Sequence, residues 1–246
     1  MILAAAQTKP KREDIQSNLE DHYNLIEQAS DSGAGLIVFP EMSITGYERD
    51  RALDMAFTEE DSRLNELKKM SADRQIIVIA GAPVVIQDNL YIGAFIIKPD
   101  TTTSVYTKQF LHDGEELFFK SSFDYNPVIE LENERISVAI CADIDNPLHA
   151  ENANKNRSTI YLASLFFSPN GMPKAYKTLS EYAKKYSMPV LMSNFSGQAW
   201  ESEAGGLSGF WDKRGNLVAN LNETDSGLLL MKKIDGTWTG KSIKYK

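Results

Sequence analysis

The 246-residue sequence holds one cysteine, Cys141. A thiol is nucleophilic as its thiolate, so it needs a nearby base or cation to activate it. Cys141 closes the alternating run Arg135-Ile-Ser-Val-Ala-Ile140 and opens the polar stretch Ala142-Asp143-Ile144-Asp145-Asn146-Pro147. Free cysteine is more often a small buried hydrophobe, but a strand-to-loop junction leaves this one within reach of a substrate. Two ionisable residues occupy similar positions. Glu41 follows the apolar run Leu36-Ile-Val-Phe39 and Pro40, and Lys108 follows Val105-Tyr-Thr107. Taken singly, each reads as a solvated charge at a loop. Taken together they form a chemical set. A carboxylate whose pKa is raised by burial can act as a base, and an ammonium can hold the negative oxygen of a tetrahedral intermediate.

Histidine is the usual partner of a reactive cysteine. His22 lies beside Glu20 and Asp21 on a charged segment and is expected to face solvent, while His112 and His149 are expected in loops. A Cys–His pair through His112 or His149 is therefore a competing arrangement. No His/Cys cluster has metal-ligand spacing and no glycine-rich phosphate loop occurs, so neither a metal nor a cofactor is expected.

The elements that must position these residues follow from hydrophobic periodicity. Ile2–Ala6, Leu36–Phe39, Ile76–Ala80, Val84–Ile86, Leu90–Ile97 and Thr103–Tyr106 read as strands. So do Pro127–Leu131, Arg135–Cys141, Ser158–Ser164, Pro189–Asn194, Gly205–Trp211, Leu217–Asn220 and Gly227–Lys232. Ile15–Ser30, Glu60–Arg74 and Lys174–Tyr186 carry apolar residues at helical spacing. Buried runs such as Leu36-Ile-Val-Phe39 suit sheets covered on both faces. The alternation of strands and helices predicts one α/β domain over residues 1–246, with helices packed outside sheets.

The three strand ends carry motifs in a recognisable order. Pro40-Glu41-Met-Ser-Ile-Thr-Gly46-Tyr47 resembles the glutamate motif of the nitrilase superfamily of carbon–nitrogen hydrolases. Tyr106-Thr-Lys108-Gln-Phe-Leu111-His-Asp-Gly114-Glu115-Glu116 resembles its lysine motif, and Ile140-Cys141-Ala142-Asp143 its cysteine motif. The opening Ile2-Leu-Ala-Ala-Ala-Gln7 and the segment Asn194-Phe-Ser-Gly197 are also similar, so the resemblance covers nearly the whole chain. It implies a four-layer αββα sandwich, two central mixed β-sheets flanked by helices. It also implies a Glu41–Lys108–Cys141 triad working through a thioester, with Lys108 and the backbone N–H of Ala142 as the oxyanion hole. Glu115 is the second glutamate by its place after Gly114, with Glu116 competing for the role. The implied substrate is a small linear amide, attacked with water as co-substrate. N-carbamoyl amines and nitriles are alternatives, and a catalytically silent binding or assembly member is the reading from another class. Family members commonly pair, so a homodimer or higher even oligomer is expected, with Thr237 to Lys246 crossing to the partner. Tyr47, Phe110, Phe166, Phe167 and Trp200 are candidate pocket walls. One departure stands out. Many members continue from the cysteine with Tyr-Asp and an Arg-Phe-Pro-like run, whereas this chain has Ala142-Asp143-Ile144-Asp145-Asn146-Pro147.

Composition narrows the partners. The formal net charge is −8, with 26 basic and 34 acidic residues. That balance does not suit a phosphate-neutralising surface, so no nucleic acid is expected. No stretch approaches the ~20 apolar residues that span a bilayer, and the first residues lack the pattern of a signal peptide. No membrane partner and a cytoplasmic location are the resulting expectations.

Overall fold

In the first strand, Leu3 and Ala5 join one apolar cluster while Ala4 and Ala6 join another. Side chains alternate across a strand, so a strand apolar at every position must be covered on both faces. The rest of the fold repeats that arrangement. The computed structural model describes residues 1–199 and 201–245. In chain order these form β1 (Ile2–Gln7), α1 (Ile15–Asp31), β2 (Leu36–Val38), α2 (Ala52–Met55), α3 (Asn65–Arg74), β3 (Ile77–Ile86), β4 (Asn89–Ile97) and β5 (Thr103–Thr107). There follow β6 (Ile129–Leu131), β7 (Glu134–Ile140), α4 (Pro147–Lys155), β8 (Ile160–Leu165), α5 (Met172–Tyr186) and β9 (Val190–Asn194). The chain closes with β10 (Ser196–Ala199), β11 (Ser202–Gly205), β12 (Gly209–Trp211), β13 (Leu217–Asn220), β14 (Gly227–Ile234) and β15 (Thr237–Lys244).

Seven strands form one sheet in the order β15-β14-β1-β2-β3-β4-β5, and six form a second in the order β13-β12-β9-β8-β7-β6. Both sheets are mixed. β1, β2 and β3 run parallel in the first, as do β7, β8 and β9 in the second. Between the sheets, Leu3, Val38, Ile79 and Ile92 meet Val138, Leu162 and Leu191. The outer face of the first sheet is covered by α1 and α3, through Leu19, Leu25, Ile26 and Leu67. The outer face of the second is covered by α4 and α5, through Ala150, Ala153, Leu179 and Ala183. This is the expected four-layer α/β sandwich. Each fully buried aliphatic side chain contributes about 1.5–3 kcal/mol, so the inter-sheet core and the two helix-covered faces all add to its stability. Ser164 Oγ donates to the Phe39 carbonyl at 2.8 Å and Ser193 Oγ to that of Ala6 at 2.6 Å, which ties the sheets together where their parallel strands end.

Several elements differ from expectation. Ile76–Ala80 and Val84–Ile86 are one strand, β3, which runs through Pro83. Proline fits because Pro83 lies beyond the end of β2, where Phe57 docks as an isolated bridge, donating its N–H to the Pro83 carbonyl at 2.9 Å. Gly205–Trp211 is two strands, interrupted where Gly206 and Leu207 both take φ of 58°. The segment from Thr237 forms a strand on the edge of the first sheet. β15 pairs antiparallel with β14 from Ile234↔Thr237 to Gly227↔Lys244, while Lys246 lies outside the described residues. His22 is buried rather than solvent-facing, at 1% exposure. His149 sits on α4, which periodicity missed, and is also buried. Among the described residues no helix is long and apolar enough to cross a membrane.

Candidate active site

Glu41, Lys108 and Cys141 each follow the C-terminal end of a strand, where ligands bind in open α/β sheets. The glutamate turn is set by backbone bonds. Ser43 donates its N–H to the Pro40 carbonyl at 3.2 Å, and Ile44 donates to Gly81 on β3 at 3.0 Å. A Cβ on Gly81 would fall 2.5 Å from the Met42 nitrogen, so this turn needs glycine beneath it. His22 braces the same turn from α1. Its Nε2 lies 2.9 Å from Ser43 Oγ, its Nδ1 lies 2.6 Å from the Asn18 carbonyl oxygen, and its ring stacks on Phe39. Burial pushes its pKa down to about 4.

Cys141 opens a five-residue 3₁₀ helix, Cys141–Asp145, directly after β7. Its φ of 44° is left-handed. For a residue with a Cβ this costs of order 1–3 kcal/mol, and it persists only where the surroundings enforce it. The turn presents Sγ at the end of the sheet, and Sγ donates to the Phe166 carbonyl at 3.5 Å. The first N–H groups of a helix have no acceptor within it, so the N–H of Ala142 is unused by the helix that Cys141 starts.

Lys108 follows β5 and is fully buried, as are Glu41 and Glu115. Lys108 Nζ donates to Glu41 Oε1 and to Glu115 Oε1, both at 2.8 Å. Glu115 Oε1 also accepts from the Tyr47 hydroxyl at 2.5 Å, and its Oε2 accepts from the His112 N–H at 2.8 Å. Glu116 is exposed, so the structure brings Glu115 into the site and leaves Glu116 out. Gly114, at φ 86°, makes the turn that directs Glu115 inward.

The charges act on one another strongly because all are out of water. Burial raises the Glu41 pKa to about 7; Lys108 opposes the shift and Glu115 adds to it. Burial pushes the Cys141 thiol well above its ordinary value, with the Glu41 charge adding and Lys108 opposing. For Lys108, burial favours the neutral amine, but Glu41, Cys141 and Glu115 outweigh it and raise its pKa. Lys108 is therefore a fixed cation and donor. Glu41 Oε2 is buried and accepts no hydrogen bond among the described residues, and the carboxyl interacts with the Cys141 thiol.

A cavity of about 390 Å³ opens onto this cluster, with Glu41, Glu115 and Cys141 in its lining. Of the expected walls, Tyr47 and Phe166 line it; Phe110 packs instead on Phe123, Phe167 lies outside the lining, and Trp200 falls outside the described residues. Arg49, Asp113, Ser168 and Ser202 also line it. Arg49 and Ser168 lie in loops without a periodic signal, Ser202 opens β11, and Asp113 falls inside the lysine motif. Asn194, at the end of β9, supports the site from behind. Its side chain accepts from the Phe167 N–H at 2.9 Å and donates to the Gly206 carbonyl at 2.9 Å, fixing the segment that receives the thiol. A Cys–His pair is not formed. His112 lines the cavity but turns Nδ1 toward the Asp113 carbonyl, and both ring nitrogens of His149 are taken by tyrosines. Among the described residues no group of three or more His, Cys, Asp or Glu could hold a metal ion.

Two mixed sheets packed between helices, with a glutamate, a lysine and a cysteine converging at their strand ends, define the chain as a nitrilase-type α/β protein. It belongs to the carbon–nitrogen hydrolase family, which residues 2–239 match. Among solved structures it is similar to an amidase from Nesterenkonia sp. AN1, with a TM-score of 0.86, 21% identity, and coverage of 96% of this chain and 93% of that one. A variant of that amidase, carrying acrylamide joined to its active-site cysteine by Michael addition, superposes with a TM-score of 0.85. Among curated relatives, the glutamine-dependent NAD(+) synthetase of Thermotoga maritima is 27% identical over 223 residues, covering 87% of this chain and 38% of that protein. The nitrilase of Pyrococcus abyssi is 28% identical over 145 residues, covering 57% and 55%. The chain thus spans between about two fifths and a little over half of the length of these two relatives.

Proposed function

We propose that this protein hydrolyses the carbon–nitrogen bond of a small linear amide, with Cys141 as nucleophile. The observation that carries the proposal is the buried Lys108 bridging Glu41 and Glu115 at 2.8 Å each beside the one thiol of the chain. Glu41, with a pKa near 7, is matched to accept and return a proton at neutral pH. It takes the thiol proton as Sγ attacks the carbonyl carbon. Lys108 Nζ and the Ala142 N–H donate to the oxygen that becomes negative. As the tetrahedral intermediate collapses, the C–N bond breaks, Glu41 returns the proton to the leaving nitrogen, and ammonia departs. A water molecule, deprotonated by Glu41, attacks the thioester. The C–S bond breaks, the carboxylic acid leaves, and the thiolate recovers its proton from Glu41. Glu115 holds Lys108 in place throughout, with Tyr47 donating to the same oxygen and the His112 N–H to the other.

The active-site cysteine of the Nesterenkonia amidase supports the nucleophile, and its name supports an amide. The nitrilase relative keeps a nitrile in contention for the same triad, as is an N-carbamoyl amine. The decisive experiment is ammonia release across a panel of amides, N-carbamoyl amines and nitriles, with Cys141→Ala as control. Release from amides that vanishes in the variant is expected, and undiminished turnover in that variant would refute the mechanism. Residues 1–246 acting as one unit is supported by an inter-sheet core that draws on strands from both ends of the chain. A catalytic thiol suits a reducing compartment, which supports a cytoplasmic location. A homodimer is the assembly that the family resemblance favours, and light scattering that gives a monomer mass at micromolar protein would reject it.

A further inference from the structure

Asp143 is fully buried, two residues past the thiol, and the steps above leave it without a role. Its oxygens join two parts of the site. Oδ1 accepts from the N–H groups of Gln109 at 3.0 Å and Phe110 at 2.8 Å, the two residues after Lys108. Oδ2 accepts from the N–H of Ile140 at 2.8 Å, the residue before Cys141, and from the Tyr106 hydroxyl at 2.6 Å. One carboxylate therefore fastens the lysine segment to the cysteine turn, and it does so with donors other than a salt-bridging Lys or Arg.

The Tyr106 hydroxyl continues the network. Because it donates to Asp143, it accepts from His149 Nε2 at 2.8 Å, and His149 Nδ1 in turn accepts from the Tyr161 hydroxyl at 2.7 Å. That order holds for a neutral His149 with its hydrogen on Nε2, since a protonated ring would donate at both nitrogens. Burial lowers the His149 pKa against the pull of Asp143, in keeping with that form. The residues that depart from the usual family run build the support. Asp145 pairs with Lys174 at 2.6 Å, the Asn146 side chain caps α4 by accepting from the Leu148 N–H at 3.1 Å, and Pro147 occupies its first turn. That helix start delivers His149 to Tyr106.

We propose that Asp143 is a positioning residue, held by the proton-ordered relay Tyr161–His149–Tyr106, that fixes the Lys108 ammonium relative to the Cys141 thiol. This rests on the triad reading above. A small misplacement of reacting groups costs up to about 100-fold in rate. The test compares Tyr106→Phe, His149→Leu and His149→Gln with the wild type; the glutamine amide can donate to Tyr106 and accept from Tyr161. Tyr176→Phe, which loses a comparable hydroxyl bond to the Leu207 carbonyl, serves as the stability control. Read out are kcat, KM, melting temperature and the rate at which iodoacetamide alkylates Cys141.

The expectation is that Tyr106→Phe and His149→Leu lower kcat and alkylation by roughly 10- to 100-fold, with KM changed less than about threefold. His149→Gln should recover most of both rates, and the control should keep them. The proposal is overturned if Tyr106→Phe and His149→Leu alkylate at the wild-type rate, if His149→Gln fails alongside His149→Leu, or if the losses merely follow the melting temperature as in the control. If the wild type turns over no amide, the proposed function fails, and the alkylation rates still decide the positioning role.

Discussion

Replacing Glu115 with glutamine should move the acid limb of the pH–rate profile in a direction that simple damage would not produce. Both carboxylates lie 2.8 Å from the same Lys108 nitrogen, so their nearer oxygens are at most about 5.6 Å apart. At an effective dielectric constant near 20, two unit charges at that separation repel by about 3 kcal/mol, or roughly two pH units. Glu115 is among the groups that raise the Glu41 pKa to about 7. With that charge gone, Glu41 holds its proton less tightly and stays in its basic form at lower pH. The limb of kcat/KM, which reports the free enzyme, should fall near pH 7 in the wild type and roughly one to two units lower in the variant. Absolute kcat should drop, by ~10-fold or more, because the glutamine cannot serve Lys108, Tyr47 and the His112 N–H as the carboxylate does. The assay is initial-rate ammonia release at subsaturating amide between about pH 5 and pH 9. A variant limb that stays near 7, or rises, would refute the electrostatic account of the site.

Two further perturbations test how the site is held. His22 has a folded pKa near 4 against an ordinary value of 6.5, so the unfolded chain binds the extra proton between those values. Its contribution is complete above pH 6.5 and fades as pH falls toward 4, by up to about 3 kcal/mol. Urea unfolding should find the wild type less stable at pH 5 than at pH 7.5, with a smaller difference in His22→Phe; equal differences would discount the histidine. Gly81→Ala places a methyl 2.5 Å from the Met42 nitrogen and 3.0 Å from the Pro40 carbonyl oxygen. It should cost about 1–3 kcal/mol and displace Glu41, lowering kcat at least about 10-fold. Wild-type kcat in Gly81→Ala would show that the turn has room to spare.

The strands that carry the site are legible because β2 is an uninterrupted apolar run, β5 is rich in β-branched and aromatic residues, β7 alternates apolar with polar residues before a closing apolar run, and each is followed by a chemically different residue. β2, β5 and β7 emerge within a residue or two of their expected limits; Lys108 and Cys141 follow their strands directly, and Glu41 follows β2 after Phe39 and Pro40. Helices were harder to read where a polar residue replaces an apolar one on the buried face. On α1 the buried stripe runs Asn18, Leu19, His22, Leu25, Ile26 and Ala29. His22 occupies an inward position that its neighbours Glu20 and Asp21 disguise, and it is tolerated because Asn18 and Ser43 satisfy both ring nitrogens. α4 gives little periodic signal because it is short and its inward face is small, Ala150 and Ala153 beside His149.

The sequence by itself determined which chemistry is available: one thiol, a carboxylate and an ammonium at three strand ends, in an order that resembles one family. Local sequence could not decide between Glu115 and Glu116, which share one 3₁₀ turn and differ only in direction. That choice depends on Lys108, Tyr47 and the His112 N–H converging on one carboxylate. The Glu41 pKa near 7 is likewise a property of the assembled site, since it needs burial, Lys108 and Glu115 at once. For Cys141, sequence supplied the junction, but the left-handed φ of 44° and the Asp143 bonds on both sides of it arise from packing. The reason is distance along the chain. Glu41 and Lys108 are 67 residues apart, and Tyr106 and Asp143 are 37 apart, so only the closed sandwich brings their atoms into contact.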